Sequence, residues 1–219
     1  MDASGWDERY RAFAEHGGIW AVEPPRVIRE IVEPLVPGTA LDVATGDGRT
    51  AVWLARRGWT TTGIDFSRAG LDLARARPGG ERVTWVEGDI RTSSPRGLYD
   101  LIVVAYLHLQ DNESTLRRIA GWVAPGGHLV VVGHDVENIA AGGHGPSDPG
   151  LLYTPELLRA AVEPVLTVTR CEQLRRGGDD AELRGAAGGV AVDTVLVATA
   201  SAGVREGLEP YHDSAQRDQ

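Results

Sequence analysis

Two glycines and an acid are the residues of this chain best spaced to hold a ligand. Gly46 and Gly48 bracket an abrupt turn in LDVATGDGRT, after the strand-forming Leu41 and Val43 and before the helix-forming run Thr50 to Ala55. A strand–Gly-x-Gly–helix unit leaves backbone N–H groups free at a helix start and lets a ligand approach the main chain closely. Asp65 follows Gly46 by nineteen residues, in TTGIDFS, where a second strand should end. An acid at that spacing is placed to accept hydrogen bonds from ribose hydroxyls. The unit reads as a nucleoside-binding site.

The elements that must position these residues alternate between strand and helix. Strands are expected at Leu41–Thr45, Thr60–Phe66, Val83–Glu87, Tyr99–Tyr106 and His128–Gly133, with YDLIVVAY the best central strand. Helices are expected at Arg49–Arg57, Arg68–Arg77 with Ser67 as N-cap, and Asn112–Val123. That alternation predicts an α/β fold: a Rossmann-like, doubly wound, mostly parallel seven-stranded sheet with helices on both faces. Beyond His134 the Gly- and Pro-rich HDVENIAAGGHGPSDPG reads as a long loop. Thr154-Pro155 then opens a helix, and Leu166–Leu174 and Val190–Thr199 are two further strands flanking a glycine-rich tip. At the front, Trp6, Tyr10 and Phe13 fall at helical spacing, followed by Gly17-Gly18 as a hinge, Trp20, and a proline-led helix from Pro24-Pro25. Residues 1–38 are read as an N-terminal helical cap or lid, 39–200 as the core, and 201–219 as a disordered tail.

Composition narrows the partners. The chain has 219 residues, a formal net charge of −9 and no lysine, with its arginines scattered. A nucleic-acid partner is disfavoured, because phosphate backbones repel such a surface. No run is long and apolar enough to span a membrane, and MDASGWDERYR is not a secretory signal. A single cysteine, Cys171, fits a reducing cytoplasm and a structural role. The histidines His108, His128, His134 and His144 are dispersed, with no C-x-x-C or H-E-x-x-H, so no metal site is expected. No G-x-S-x-G elbow supports hydrolase chemistry.

The order of motifs resembles the class I S-adenosylmethionine-dependent methyltransferases, and within them the small tellurite-resistance and thiopurine type, over roughly residues 5–200. The acid and glycine-rich turn of the family's first motif match Asp42, Gly46 and Gly48. Its ribose-binding acid matches Asp65, its adenine-contacting acid matches Asp89 in WVEGDI, and its fourth-strand motif matches YDLIVVAYLHL. The turn before its fifth strand matches APGG. Ala44 departs from the glycine frequent in the family, at a place where a methyl narrows the space near the amino-acid end of the cofactor. The resemblance implies S-adenosyl-L-methionine as cofactor, held by Asp42, Ala44, Gly46, Gly48, Asp65, Phe66, Asp89, Ile90 and Ala105.

A sulfonium methyl is already electrophilic, so catalysis is largely the in-line placing of a nucleophile and the exclusion of water. A base is needed only if the nucleophile carries a proton. The groups facing the methyl should lie at the carboxyl ends of the strands. Tyr106 and His108 follow the fourth strand and His134 the fifth, and these three are the candidate catalytic residues. Asp135 beside His134 suggests a base with an orienting acid, but adjacent strand residues point to opposite faces. The expected function is methyl transfer to a small molecule, whether a chalcogen or thiol or the oxygen or nitrogen of a secondary metabolite. The alternatives are a non-catalytic nucleoside-binding module of the same fold and an NAD-dependent oxidoreductase. Asp42 weighs against NAD, since a cationic methionine end has a use for a carboxylate there and a pyrophosphate does not.

Overall fold

The structure is a computed structural model that describes residues 3–15, 22–176 and 190–203. One seven-stranded sheet organises them: β1 (Thr39–Val43), β2 (Thr60–Asp65), β3 (Thr84–Glu87), β4 (Tyr99–Ala105), β5 (Val123–His134), β6 (Thr167–Arg176) and β7 (Ala191–Thr199). Their spatial order is β3-β2-β1-β4-β5-β7-β6. The first five strands run parallel, and β7 lies antiparallel between β5 and β6. The order reverses between β1 and β4, which opens a crevice at their carboxyl ends, the usual ligand site of such sheets.

Seven helices accompany the sheet: α1 (Ala3–Glu15), α2 (Arg26–Val32), α3 (Arg49–Arg56), α4 (Arg68–Ala76), α5 (Asn112–Ala120), α6 (Glu137–Ala140) and α7 (Pro155–Val162). Strand alternation sorts the core into two layers. Leu41, Val43, Ile102, Val104, Leu129 and Val131 pack with Leu116 and Ile119 of α5 and Leu158 and Val162 of α7. Ala40, Leu101, Val103, Val130, Val132 and Val195 face the other way, onto Val27, Ile28 and Val32 of α2 and Trp53 and Leu54 of α3. Central strands buried on both faces explain the near-continuous apolar runs of β4 and β5.

The caps follow the sequence. Ser67 Oγ accepts from Gly70 N at 3.1 Å, and Thr154 Oγ1 accepts from Leu157 N at 3.1 Å with Pro155 in the first turn. Three segments differ from expectation. β5 begins at Val123 rather than His128, because the Pro125-Gly126-Gly127 turn stays in the ladder as an irregularity between the Tyr99↔Val123 and Leu101↔His128 pairs. β6 extends to Arg176, carried by its long antiparallel pairing with β7. The stretch after His134 is not all loop: it holds α6 and a 3-10 turn at Pro149–Leu151, capped by Asp148. The Gly17-Gly18 hinge, Trp20, the tip over 177–189 and the tail beyond residue 203 lie outside the described residues. Among those residues no helix is long and apolar enough to cross a membrane.

Candidate active site

The same alternation puts the polar residues at the strand ends on one side. Asp42 shares the face of Ala40, Asp65 is opposite in facing to Ile64, and His134 and Asp193 continue the rows of Val132 and Val195. Each therefore points to the α2/α3 side of the sheet, at its carboxyl edge. The site has two halves, one on β1 and β2 and one on β4, β5, β7 and β6.

In the first half the glycine turn is braced by acids. Asp42 is buried, and its Oδ2 accepts from Thr45 Oγ1 at 2.5 Å and from Ala51 N at 3.1 Å, tying β1 to the start of α3. Burial drives its carboxyl up to about 7, against the pull of Thr45, Ala51 and Arg49. Asp65, at the end of β2, accepts from Gly46 N through Oδ2 and from Ser67 N through Oδ1, each at 2.8 Å. Burial raises this carboxyl too, in opposition to its backbone donors. Asp47, inside the turn, is paired with the buried Arg77 guanidinium, whose Nε also donates to the Asp47 carbonyl at 2.7 Å. Gly48 has φ +80°, and a Cβ there would meet the Trp85 ring at 2.6 Å, so only glycine fits. Phe66 is half-buried, Ile90 is buried in the α5/α7 layer, and Asp89 is held by a two-pronged contact from Arg91. The Arg91 hydrogen bonds hold the Asp89 carboxyl below its ordinary range.

Helix α1 lies across this half. Asp7 accepts from Ser67 Oγ at 2.6 Å and from Ala69 N at 3.1 Å, docking α1 on the N-terminus of α4. Tyr10 is buried, and its hydroxyl sits over the turn: a Cβ at Gly46 would lie 2.4 Å from it. Burial and the charges of Asp65 and Asp47 push the Tyr10 phenol up, so it stays protonated.

The second half gathers all three candidate catalytic residues. The Tyr106 and His134 rings are 4.7 Å apart, and the His108 and His134 rings stack at 5.3 Å with 9° between planes. His134 and Asp193 are directly opposed in the β5–β7 ladder, and His134 Nδ1 lies 3.1 Å from Asp193 Oδ1. Tyr106 OH donates to Asp193 Oδ2 at 2.9 Å, and Arg176 Nε makes an ion pair with the same oxygen at 2.7 Å. Burial works to raise the Asp193 carboxyl, but His134 and Arg176 outweigh it and leave it below its ordinary value. The acid paired with His134 is therefore Asp193; Asp135 points to the other face, where it accepts from Thr194 Oγ1 and Gln173 Nε2. Burial and the neighbouring His134 lower His108 to about 4, leaving it neutral at pH 7. Burial and Asp193 push the Tyr106 phenol up. Leu107 is buried and Leu109 packs on the α5/α7 layer, while Ala105 packs on the α2/α3 layer.

Two non-glycine residues have positive φ, Ala44 at 54° and Tyr106 at 55°. They follow β1 and β4, on either side of the crevice. Each costs roughly 1 kcal/mol in the left-handed region. The backbone at Ala44 is thus one that glycine would adopt freely, which gives the departure from the family pattern a physical content. Asp193 and Arg176 escape sequence reading because their partners are distant in the chain. One signal was present: Asp193 is the lone charge within AVDTVLVA, and a charge in a buried strand needs a partner. Cys171 is half-buried and donates to the Pro155 carbonyl at 3.4 Å, a structural role. Among the described residues no group of three His, Cys, Asp or Glu side chains could hold a metal ion.

Comparison with known proteins agrees with this architecture. Residues 40–127 match the family model of the methyltransferase domain. An uncharacterized methyltransferase of Mycobacterium tuberculosis is 37% identical over 102 residues, 45% of this chain and 52% of the relative. A ubiquinone biosynthesis O-methyltransferase of Vibrio parahaemolyticus is 32% identical over 108 residues, 47% of this chain and 46% of the relative. The chain thus spans about half the length of the curated relatives it matches. A TehB-like S-adenosylmethionine-dependent methyltransferase from Corynebacterium glutamicum superimposes with a TM-score of 0.58 at 22% identity, over 91% of this chain and 98% of the other. Residues 40–127 thus match a methyltransferase domain, and the fold built around them is one shared with S-adenosylmethionine-dependent methyltransferases of known structure.

Proposed function

We propose that the protein transfers a methyl group from S-adenosyl-L-methionine to a small-molecule acceptor. The observation that carries this reading is Asp65: a buried carboxylate at the end of β2, fixed by the N–H groups of Gly46 and Ser67. The Phe66 N–H also bears on this carboxylate, and of its roughly four lone-pair sites one is left to offer a ribose hydroxyl. The donor set fits the cofactor in its charge as well. Asp42 and Asp65 flank a glycine turn in a way that suits a cationic sulfonium and a diol, and opposes a pyrophosphate. Arg49 stands at the start of α3, and its charge is felt at Asp42, Tyr10 and Tyr106, between the two halves. Gly46, Gly48 and Ala44 would lie along the methionine end, with Phe66, Asp89 and Ile90 beside the adenine and Ala105 under the crevice. When bound, the cofactor supplies the electrophilic methyl. Helix α1 acts as a cap, screening the site from water.

The acceptor site is formed by Tyr106, His108 and His134. The relative from Vibrio is named as an O-methyltransferase, which is consistent with acceptor oxygen but covers under half of each chain. A non-catalytic nucleoside module would have no use for a buried His–Asp pair at the open edge of the sheet. The test is calorimetry with S-adenosylhomocysteine and, separately, NAD. Asp65→Asn should weaken S-adenosylhomocysteine binding by about 1.5–3 kcal/mol, the scale of a hydrogen bond to a charged group. NAD should not bind. An unchanged affinity in Asp65→Asn, or tight NAD binding, would overturn the reading.

A further inference from the structure

His134 sits in a cluster of four further residues, two of which, Asp193 and Arg176, its sequence position does not suggest. Asp193 accepts from its Nδ1 edge, Tyr106 and Arg176 hold the second Asp193 oxygen, and His108 stacks on the ring. Because Asp193 is ionised and can only accept, the proton of a neutral His134 resides on Nδ1 and leaves Nε2 with a free electron pair. The remaining edge of the ring is not walled in. The side chain retains 11% of its surface, and the backbone passing alongside is that of Gly145, at φ +135°. A Cβ on Gly145 would lie 2.5 Å from His134 Cδ2 and 2.9 Å from Nε2, so any larger residue would cover that edge. The other polar rings nearby cannot substitute as a base, since Tyr106 stays protonated and donates to Asp193, and His108 is held neutral as a poor proton acceptor.

We propose that His134 Nε2 is the general base of the acceptor site, that Asp193 and Arg176 are its positioning residues, and that the acceptor is a proton-bearing oxygen, a phenol or enol, rather than a soft thiolate or chalcogenide anion. This rests on the methyl-transfer reading above. The anions would need no base, whereas a proton-bearing acceptor gives a buried His–Asp–Arg arrangement a catalytic use. The acceptor oxygen forms its bond to the methyl carbon as the sulfur–carbon bond breaks, and that electron pair stays on sulfur. The acceptor proton passes to His134 Nε2, where Asp193 stabilises the imidazolium, and later leaves to water.

The tautomer is read without cofactor, by nitrogen-15 NMR of the histidine rings in the full chain. Wild type should show His134 protonated on Nδ1, and Asp193→Asn should lose that preference. The charged and titrating groups around His134 in this measurement are Asp193 from β7, Arg176 from β6, and Tyr106 and His108 after β4, with Arg49 of α3 acting on Tyr106 and Arg9 of α1 on His108. Turnover is then compared between a phenol and a nitrothiophenol already ionised at pH 7.5. His134→Gln should cut phenol methylation about 100-fold more than it cuts thiolate methylation, with partial recovery at pH values where the phenol ionises. Wild-type His134 protonated on Nε2, equal losses for both acceptors, or turnover confined to the thiolate would each overturn the proposal. Failure of S-adenosylhomocysteine to bind would instead overturn the methyl-transfer reading, and the tautomer would still decide the role of Asp193.

Discussion

Asp42 is the residue whose environment departs most visibly from what its type prefers. Burial lifts its carboxyl to about 7, so between the unfolded value near 3.8 and 7 the folded protein holds a proton there that the unfolded chain has released. Stability from this group is therefore complete below pH 4 and is lost as pH rises through 7. Asp42→Asn keeps an oxygen to accept from Thr45 and Ala51 and removes the titration. It should gain on the order of 2 kcal/mol relative to wild type on going from pH 5 to pH 8, as read by urea denaturation. A difference that stays flat across that range would show Asp42 to be ionised throughout. Asp42 and Asp65 were legible in the sequence because a glycine turn fixes what lies beside it within twenty residues. Asp193 was not, because its partner His134 is 59 residues away and meets it only through the register of an antiparallel ladder. Sequence favours Asp135 as the visible neighbour, and the pleat of the strand sends it to the wrong face.

Among the elements, α1 docks on the core through Asp7 near its start and through the buried Tyr10. Asp7 completes the cap of α4, and Tyr10 one turn later covers Gly46. Asp7→Ala should leave the sheet intact and speed hydrogen exchange of the α1 amides by about fivefold, the effect of losing a cap of ~1 kcal/mol. It should also quicken cofactor association, since Tyr10 overlies the turn. Unchanged exchange in α1 would mean that the aromatic packing of Trp6 and Tyr10, not Asp7, holds the helix. Strands and helices were readable to within a few residues from alternation and caps. β5 was read short, because Pro125-Gly126-Gly127 has the local chemistry of a turn and only the neighbouring β4 keeps it in the ladder. The segment after His134 was read as featureless because α6 is a single turn, too short for any helical period to show.

Across the whole molecule, charge separates the ligands it accepts from those it repels. With 31 acids against 22 basic residues, none of them lysine, the surface has no long cationic track for a phosphate backbone. A labelled 20-nucleotide single strand or duplex should show no anisotropy change with micromolar protein at about 0.1 M salt, where a Debye length of about 10 Å still leaves surface charge effective. Measurable binding under those conditions would point to an arginine cluster that the described residues do not display. The parallel sheet was the most legible feature of all, since buried central strands flanked by glycine turns have few other solutions.

The position of β7 has a consequence for how the molecule is made. β1, β2 and the glycine turn between them lie close together in the sequence, so Asp65 and the Gly46 N–H it accepts from belong to neighbouring segments. Asp193 enters between β5 and β6 only when the last strand is laid down, as the neighbour of both. The pairing of His134 with Asp193 is thus complete only once β7 has slotted between β5 and β6, long after the strands that carry Asp42 and Asp65 have been made.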